Sequence, residues 1–161
     1  MFLLNQAVFS QTSLVKRSII NDKVELPFPE DFTYKNHSSK DLLDHYIILI
    51  DKKGAIALSY NMSSDTMTDN DIPAYTDVLI IEMKTNKKNY RFLEDGIHLQ
   101  EGKNIGYIKF LSKEKTDVFN YVFYLSVDGK LCIFSFTCPN KLRKKWEGVV
   151  DEIANSLRIV R

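Results

Sequence analysis

Residues 118–138 read VFNYVFYLSV, then Asp128-Gly129, then KLCIFSFTC, and this stretch restricts the fold more than any other in the chain. Aspartate-glycine between two runs of aromatic and aliphatic residues suits a two-residue type I′ turn, whose backbone needs positive φ at both positions. With 128 and 129 as the loop, Val127 faces Lys130 and the register runs back from there. One face then carries Leu125 with Cys132, Phe123 with Phe134 and Tyr121 with Phe136. The other carries Tyr124 with Ile133, Val122 with Ser135 and Asn120 with Thr137. Both faces are largely apolar, the first strongly so, which places the hairpin inside a sheet covered on both sides.

The covering layers are legible as helices. Pro139 ends the second strand, Asn140 is a candidate cap, and Leu142, Trp146, Val149, Val150, Ile153 and Leu157 recur at helical spacing. A second apolar stripe, Ile72, Tyr75 or Thr76, Leu79 and Met83, predicts a helix over about 70–85. Thr68, Asp69 or Asn70 stands ready to cap it, and Pro73 falls in its first turn, where a missing N–H costs little. The fold class expected is α+β: a three-layer α/β/α sandwich with a central, mainly antiparallel sheet flanked by helices.

The remaining segments supply strands. Residues 14–26 form a hairpin around Asn21-Asp22, stopped by Pro27 and Pro29, and a polar loop follows through 36–39. The apolar runs HYIILI (45–50) and AIALSY (55–60) flank a Gly-containing turn, and the acidic segment 61–71 reads as a connector. Strands at 89–93, 97–100 and 104–111 are separated by Glu94-Asp95-Gly96 and Glu101-Gly102-Lys103, a meander punctuated by turns.

One domain over residues 1–161 is expected, because a chain of this length supports a single sizeable core. The first 13 or so residues stand apart as a peripheral segment or the remnant of a secretion signal. Met1-Phe2-Leu3-Leu4 meets Asn5-Gln6 at once and lacks a basic start, so it is not a complete signal. No apolar run reaches the ~20 residues of a transmembrane helix. A cytoplasmic location is expected of the chain as it stands, and an exported or periplasmic one if the start is a truncated signal.

Composition excludes other classes. Hydrophobic residues make up 44%, too many for a disordered chain. Twenty-two Lys and Arg against 21 Asp and Glu leave a net charge of +1, so no whole-domain field attracts nucleic acid. Cys132 and Cys138 on one strand lie roughly 20 Å apart at ~3.3 Å per residue and cannot bridge each other. Buried, reduced thiols are expected.

Chemistry-bearing constellations are sparse. His37, His45 and His98 lack metal-ligand spacing, and Asp65, Asp69 and Asp71 lack the glycine and terminal glutamate of an EF-hand. Those aspartates suit the start of the helix they precede. Glycines stand singly, so no phosphate-binding loop or nucleophile elbow is present. Cys138 before a helix is a candidate activated thiol, without a base nearby in sequence. No catalytic, cofactor-binding or metal residue is assigned. Lys141, Arg143, Lys144 and Lys145 cluster in the first turns of the last helix, where cations oppose the macrodipole. They are the candidate partner-binding residues.

The order of elements, with Pro29-Glu30-Asp31-Phe32 after the opening strands, resembles the PsbP-like superfamily. The likeness is strongest at 96–110 (GIHLQEGKNIGYIKF), 134–139 (FSFTCP) and 146–159 (WEGVVDEIANSLRI), and extends over most of residues 23–160. That superfamily includes the PsbP subunit of photosystem II, Mog-type Ran-binding factors, DcrB-type envelope lipoproteins and Eag-type secretion chaperones. The resemblance implies a non-enzymatic binding, chaperone or adaptor module, holding a protein partner on its sheet face or rim. The alternative is an envelope-associated accessory protein that binds a small ligand or lipid. No residue here matches a family binding motif well enough to carry over a role.

Overall fold

A computed structural model describes residues 12–35, 47–113 and 115–160, and in it the Asp128-Gly129 turn has φ of 50° and 73°, the left-handed pair of a type I′ turn. It joins β8 (Asp117–Val127) to β9 (Lys130–Pro139) in the register read from the sequence, with Leu125 opposite Cys132, Phe123 opposite Phe134 and Tyr121 opposite Phe136. The Phe123 and Phe134 rings stack with centroids 4.8 Å apart and planes 2° from parallel.

The other strands are β1 (Leu14–Ile19), β2 (Val24–Pro29), β3 (Thr33–Lys35), β4 (Ile47–Ile50), β5 (Ala57–Thr66), β6 (Tyr90–Gln100), β7 (Lys103–Lys113) and β10 (Arg158–Ile159). The main sheet runs β3-β4-β5-β9-β8-β7-β6 with every neighbour antiparallel, so the hairpin is internal, as its two apolar faces require. A small sheet, β1-β2-β10, is separate.

Helices α1 (Ile72–Thr85) and α2 (Arg143–Asn155) cover opposite faces. On the α2 side, Phe123, Phe134, Phe136 and Trp146 join Val150, Ile153, Leu157 and the small-sheet residues Leu26 and Phe28 in the main core. Each such large side chain contributes on the order of 1.5–3 kcal/mol by burial. On the α1 side Ile72, Tyr124 and Leu131 form a second core with Tyr75 and Leu79 against it. The α+β sandwich is therefore built as the hairpin implied. Among the described residues no helix is long and apolar enough to cross a membrane.

Four expectations are corrected. Pro27 and Pro29 do not stop β2: Pro27 lies opposite Lys16 and Pro29 opposite Leu14. The Glu30 N–H donates to Ser13 O and the Val160 N–H to Lys23 O, so alternation turns the nitrogens of residues 27 and 29 away from β1, toward the side of β10. There β10 reaches only Val24 and Glu25, and no donor is needed. Residues 61–66 are strand rather than connector, because β5 follows β9 toward the hairpin tip until Thr66 faces Lys130. Glu94-Asp95-Gly96 is no turn; β6 is one continuous strand with an irregularity between Phe92 and Glu94. Gly96 is there because a Cβ would lie 2.7 Å from the Tyr107 ring and hydroxyl. Finally, Asn140 caps nothing through its side chain and opens a 3-10 turn, Asn140–Leu142, that leads into α2.

The expected turn at Glu101-Gly102 is present, with φ of 49° and 77°. The polar loop at 36–39, the first two residues of the 45–50 strand and residues 1–11 lie outside the described residues.

Candidate functional site

The basic residues at the start of the last helix are split by their surroundings. Arg143 Nε donates to Glu147 Oε2 at 2.8 Å, one helical turn on, and its guanidinium lies 5.2 Å from the centre of the Phe119 ring. Lys141, Lys144 and Lys145 are exposed. Trp146 turns inward between Phe32 and Phe136, each 5.6 Å away, which holds Lys145 at the lip of an open groove of about 620 Å³. Thr12, Ser13, Glu30, Asp31, Thr33 and Lys52 also line that groove. The tertiary fold thus brings the β4–β5 turn, with Lys52 and Lys53 exposed, beside the start of α2.

A second cluster lies where α2 crosses the sheet. Lys109, in the middle of β7, is only 5% exposed. Its Nζ lies 3.2 Å from Glu94, 3.2 Å from Asp151 and 3.4 Å from Glu147, and 4.8 Å from the centre of the Tyr121 ring. Tyr107 Oη donates to Glu94 Oε1 at 2.9 Å. Burial would depress the ammonium, but the hydrogen bonds and charges of Asp151 and then Glu94 outweigh it and hold Lys109 above its ordinary value. Burial would likewise raise Glu147, and Arg143 followed by Lys109 hold it below the usual carboxylate range. A lysine kept protonated in this way is a structural cation, since a nucleophile or base would need the free amine. Sequence reading missed this cluster. Its one local trace is the four-residue spacing of Arg143, Glu147 and Asp151 along a flank of α2.

The other candidates resolve locally. Cys132 and Cys138 are free and buried, and burial pushes both thiols up to about 12, helped at Cys138 by the charge of Glu147. The activated-thiol reading of Cys138 is thereby corrected: the position before a helix is outweighed by burial and a neighbouring anion. Asp71 accepts from the Thr68 N–H at 2.8 Å and from its hydroxyl at 2.5 Å, which lowers its carboxyl. Asp69 accepts from the Asn104 N–H at 2.8 Å, joining the start of α1 to β7. His37 and His45 lie outside the described residues; His98 lies on β6, and burial lowers it.

The last feature is the rim. Among the described residues nothing pairs with the outer edge of β6, an 11-residue strand. Ile97 and Leu99 on it are 41% and 72% exposed, opposite Gly106 and Asn104 of β7. Val78 and Ile81 of α1 are exposed as well. A long edge strand with uncovered aliphatic side chains invites pairing with another chain.

No protein-family model and no curated protein sequence matches the chain. Solved structures do. It is similar to cyanobacterial PsbP (CyanoP) from Synechocystis sp. PCC 6803, with a TM-score of 0.66 and 13% identity over 98% of this chain and 99% of that one. It is similar to the Ran-binding protein Mog1p of Saccharomyces cerevisiae, with a TM-score of 0.60 and 9% identity over 93% and 97% of the two chains. LpqN of Mycobacterium tuberculosis, involved in cell envelope biogenesis, matches with a TM-score of 0.52 and 12% identity over 94% and 92%. These likenesses, each spanning nearly the whole of both chains, establish that the protein has the PsbP-like fold.

Proposed function

We propose that this chain is a non-enzymatic binding or adaptor module that holds a protein partner along the rim of its sheet. The observation that carries the reading is Leu99, 72% exposed on the unpaired edge strand β6. Backbone N–H and C=O groups along that edge offer a partner strand main-chain hydrogen bonds, and Ile97 and Leu99 offer it apolar contact. Lys109 and the Tyr121 hydroxyl are held above their ordinary values and both thiols at about 12, so none of these four groups offers a base or nucleophile near neutral pH. The structural likeness to Mog1p, whose partner Ran is a protein, supports the same class of role.

Replacing Leu99 with a photo-crosslinking residue in the full chain tests this in the source cell. A discrete protein adduct is expected at 99 and none at an equivalent crosslinker at Glu152, exposed on α2. Equal labelling at both positions, or none at 99, overturns the reading.

A second reading, an envelope-associated accessory protein that binds a small ligand or lipid, is favoured by the likeness to LpqN. A pocket lined by Ile105, Leu125, Leu157 and Ile159 together with Gln100, Glu101 and Lys103 has a volume of about 180 Å³, smaller than the ~300–1,000 Å³ of ordinary ligand pockets. A lipid would therefore need that pocket to open, and a shift of the melting temperature on adding phospholipid is the measurement that separates this reading from the first.

A further inference from the structure

We propose that the groove between the β4–β5 turn and the start of α2 is a second docking surface, which takes an acidic, extended peptide segment of a partner protein. The proposal rests on the reading of the chain as a protein-binding module and adds a site at the other end of the sheet order from β6. Lys52 and Lys145 line the groove, and Lys53, Lys141 and Lys144 extend the basic surface beyond it. All five are exposed, and among the described residues none has an ion-pair partner. Lys144 and Lys145 occupy the first turn of α2, where a cation opposes the helix dipole, and Lys141 lies in the 3-10 turn before it. Lys145 is offset in part by the Trp146 ring, 5.6 Å from its Nζ, while among the described residues Lys141 and Lys144 make no ion pair or ring contact, so this surface keeps cationic charge for a partner to compensate.

The chemistry of the occupant follows from the rest of the lining. Glu30 and Asp31 are exposed there and also lack ion-pair partners among the described residues. A uniformly anionic surface, a nucleic-acid backbone or an anionic bilayer, would press negative charge against those two carboxylates as well as against the lysines. A peptide can set its carboxylates against the lysines and turn uncharged residues or backbone toward Glu30 and Asp31. Mixed charge in one groove therefore favours a peptide and disfavours a polyanion. Trp146 forms part of the lining and is packed between Phe32 and Phe136, which ties the residue next to Lys145 to the core.

The test uses the full chain and a fluorescein-labelled peptide of alternating Glu and Ser, with the Lys-Ser counterpart, phosphatidylserine-containing vesicles and duplex DNA as comparators. Expected is salt-sensitive binding of the Glu-Ser peptide alone, weakened about tenfold or more by the double variant Lys52→Glu, Lys145→Glu. The double variant Glu30→Gln, Asp31→Asn is expected to bind the peptide more tightly and to gain affinity for the vesicles. Unchanged melting temperatures establish that both variants fold. Absence of peptide binding, indifference to the lysine reversals, or a wild-type preference for vesicles or DNA overturns the proposal. Crosslinking from position 99 is read in the same variants: if it persists while the groove fails, the rim reading stands alone, and the converse result removes only the rim.

Discussion

Lys109 Nζ lies 3.2 Å from an Asp151 carboxylate oxygen, an ion pair that ties the middle of β7 to the polar flank of α2. Together with Glu94 and Glu147 it makes the cation the point where β6, β7 and α2 meet. Lys109→Met removes the cation and leaves three carboxylates facing one another. Breaking a fully buried pair costs ~3–5 kcal/mol, and since Glu94 and Asp151 are 48% and 41% exposed the expected loss is lower, about 2 kcal/mol. In a domain of this size that is a fall of roughly 4–8 °C in melting temperature. A melting curve that coincides with wild type would remove Lys109 from the account of stability.

The same cluster sets a pH window. Lys109 is raised in the folded state, so its contribution is complete below the unfolded lysine value of 10.5 and is lost as pH rises through the folded one. Glu147 is lowered, so its contribution is present above the unfolded value of 4.5 and is lost as pH falls through the folded one. Urea denaturation is therefore expected to show a constant destabilisation of Glu147→Gln from mildly acidic to mildly alkaline pH, shrinking on acidification. A difference that grows as pH falls contradicts the assignment.

Gly106 and Gly148 separate packing from propensity. A Cβ on Gly106 would lie 2.7 Å from Tyr124 Cζ and 2.8 Å from Thr76 Oγ1, the hydroxyl to which Tyr124 Oη donates at 2.7 Å. Gly106→Ala is expected to cost about 1–3 kcal/mol by overpacking the α1 side. Gly148, inside α2, has nothing within 4 Å of such an atom, and Gly148→Ala is expected to stabilise by about 0.5–1 kcal/mol. Equal effects of the two substitutions in chemical denaturation would show that the close approach at Gly106 carries no weight.

The thiols give a direct assay of the core. With both pushed up to about 12 by burial, neither Cys132 nor Cys138 is expected to react with Ellman's reagent in the native protein at pH 8, and both should react in denaturant. Rapid modification of either one in the folded state would place it at the surface.

What the sequence determined by itself is what local chemistry determines. Asp128-Gly129 specified a turn with two left-handed residues, that turn specified the register from Val127–Lys130 outward, and the apolar content of both faces required a layer on each. The stripes of α1 and α2 supplied those layers, because periodicity within one element is enough to show which side is buried. The site was far less legible. Lys109 reads as an ordinary polar residue of a strand, and its partners stand 15, 38 and 42 positions away, at Glu94, Glu147 and Asp151. Nothing in the neighbourhood of Lys109 announces them. Pro27 looked like a strand terminator because which edge of β2 needs donors depends on where β10 ends, and β10 comes from the far end of the chain. In the same way Lys141, Lys144 and Lys145 are visible as a basic run, but the fold alone brings Lys52 and the carboxylates of Glu30 and Asp31 into one groove with Lys145. Long-range pairing decides which charges meet, and no short stretch of sequence carries that information.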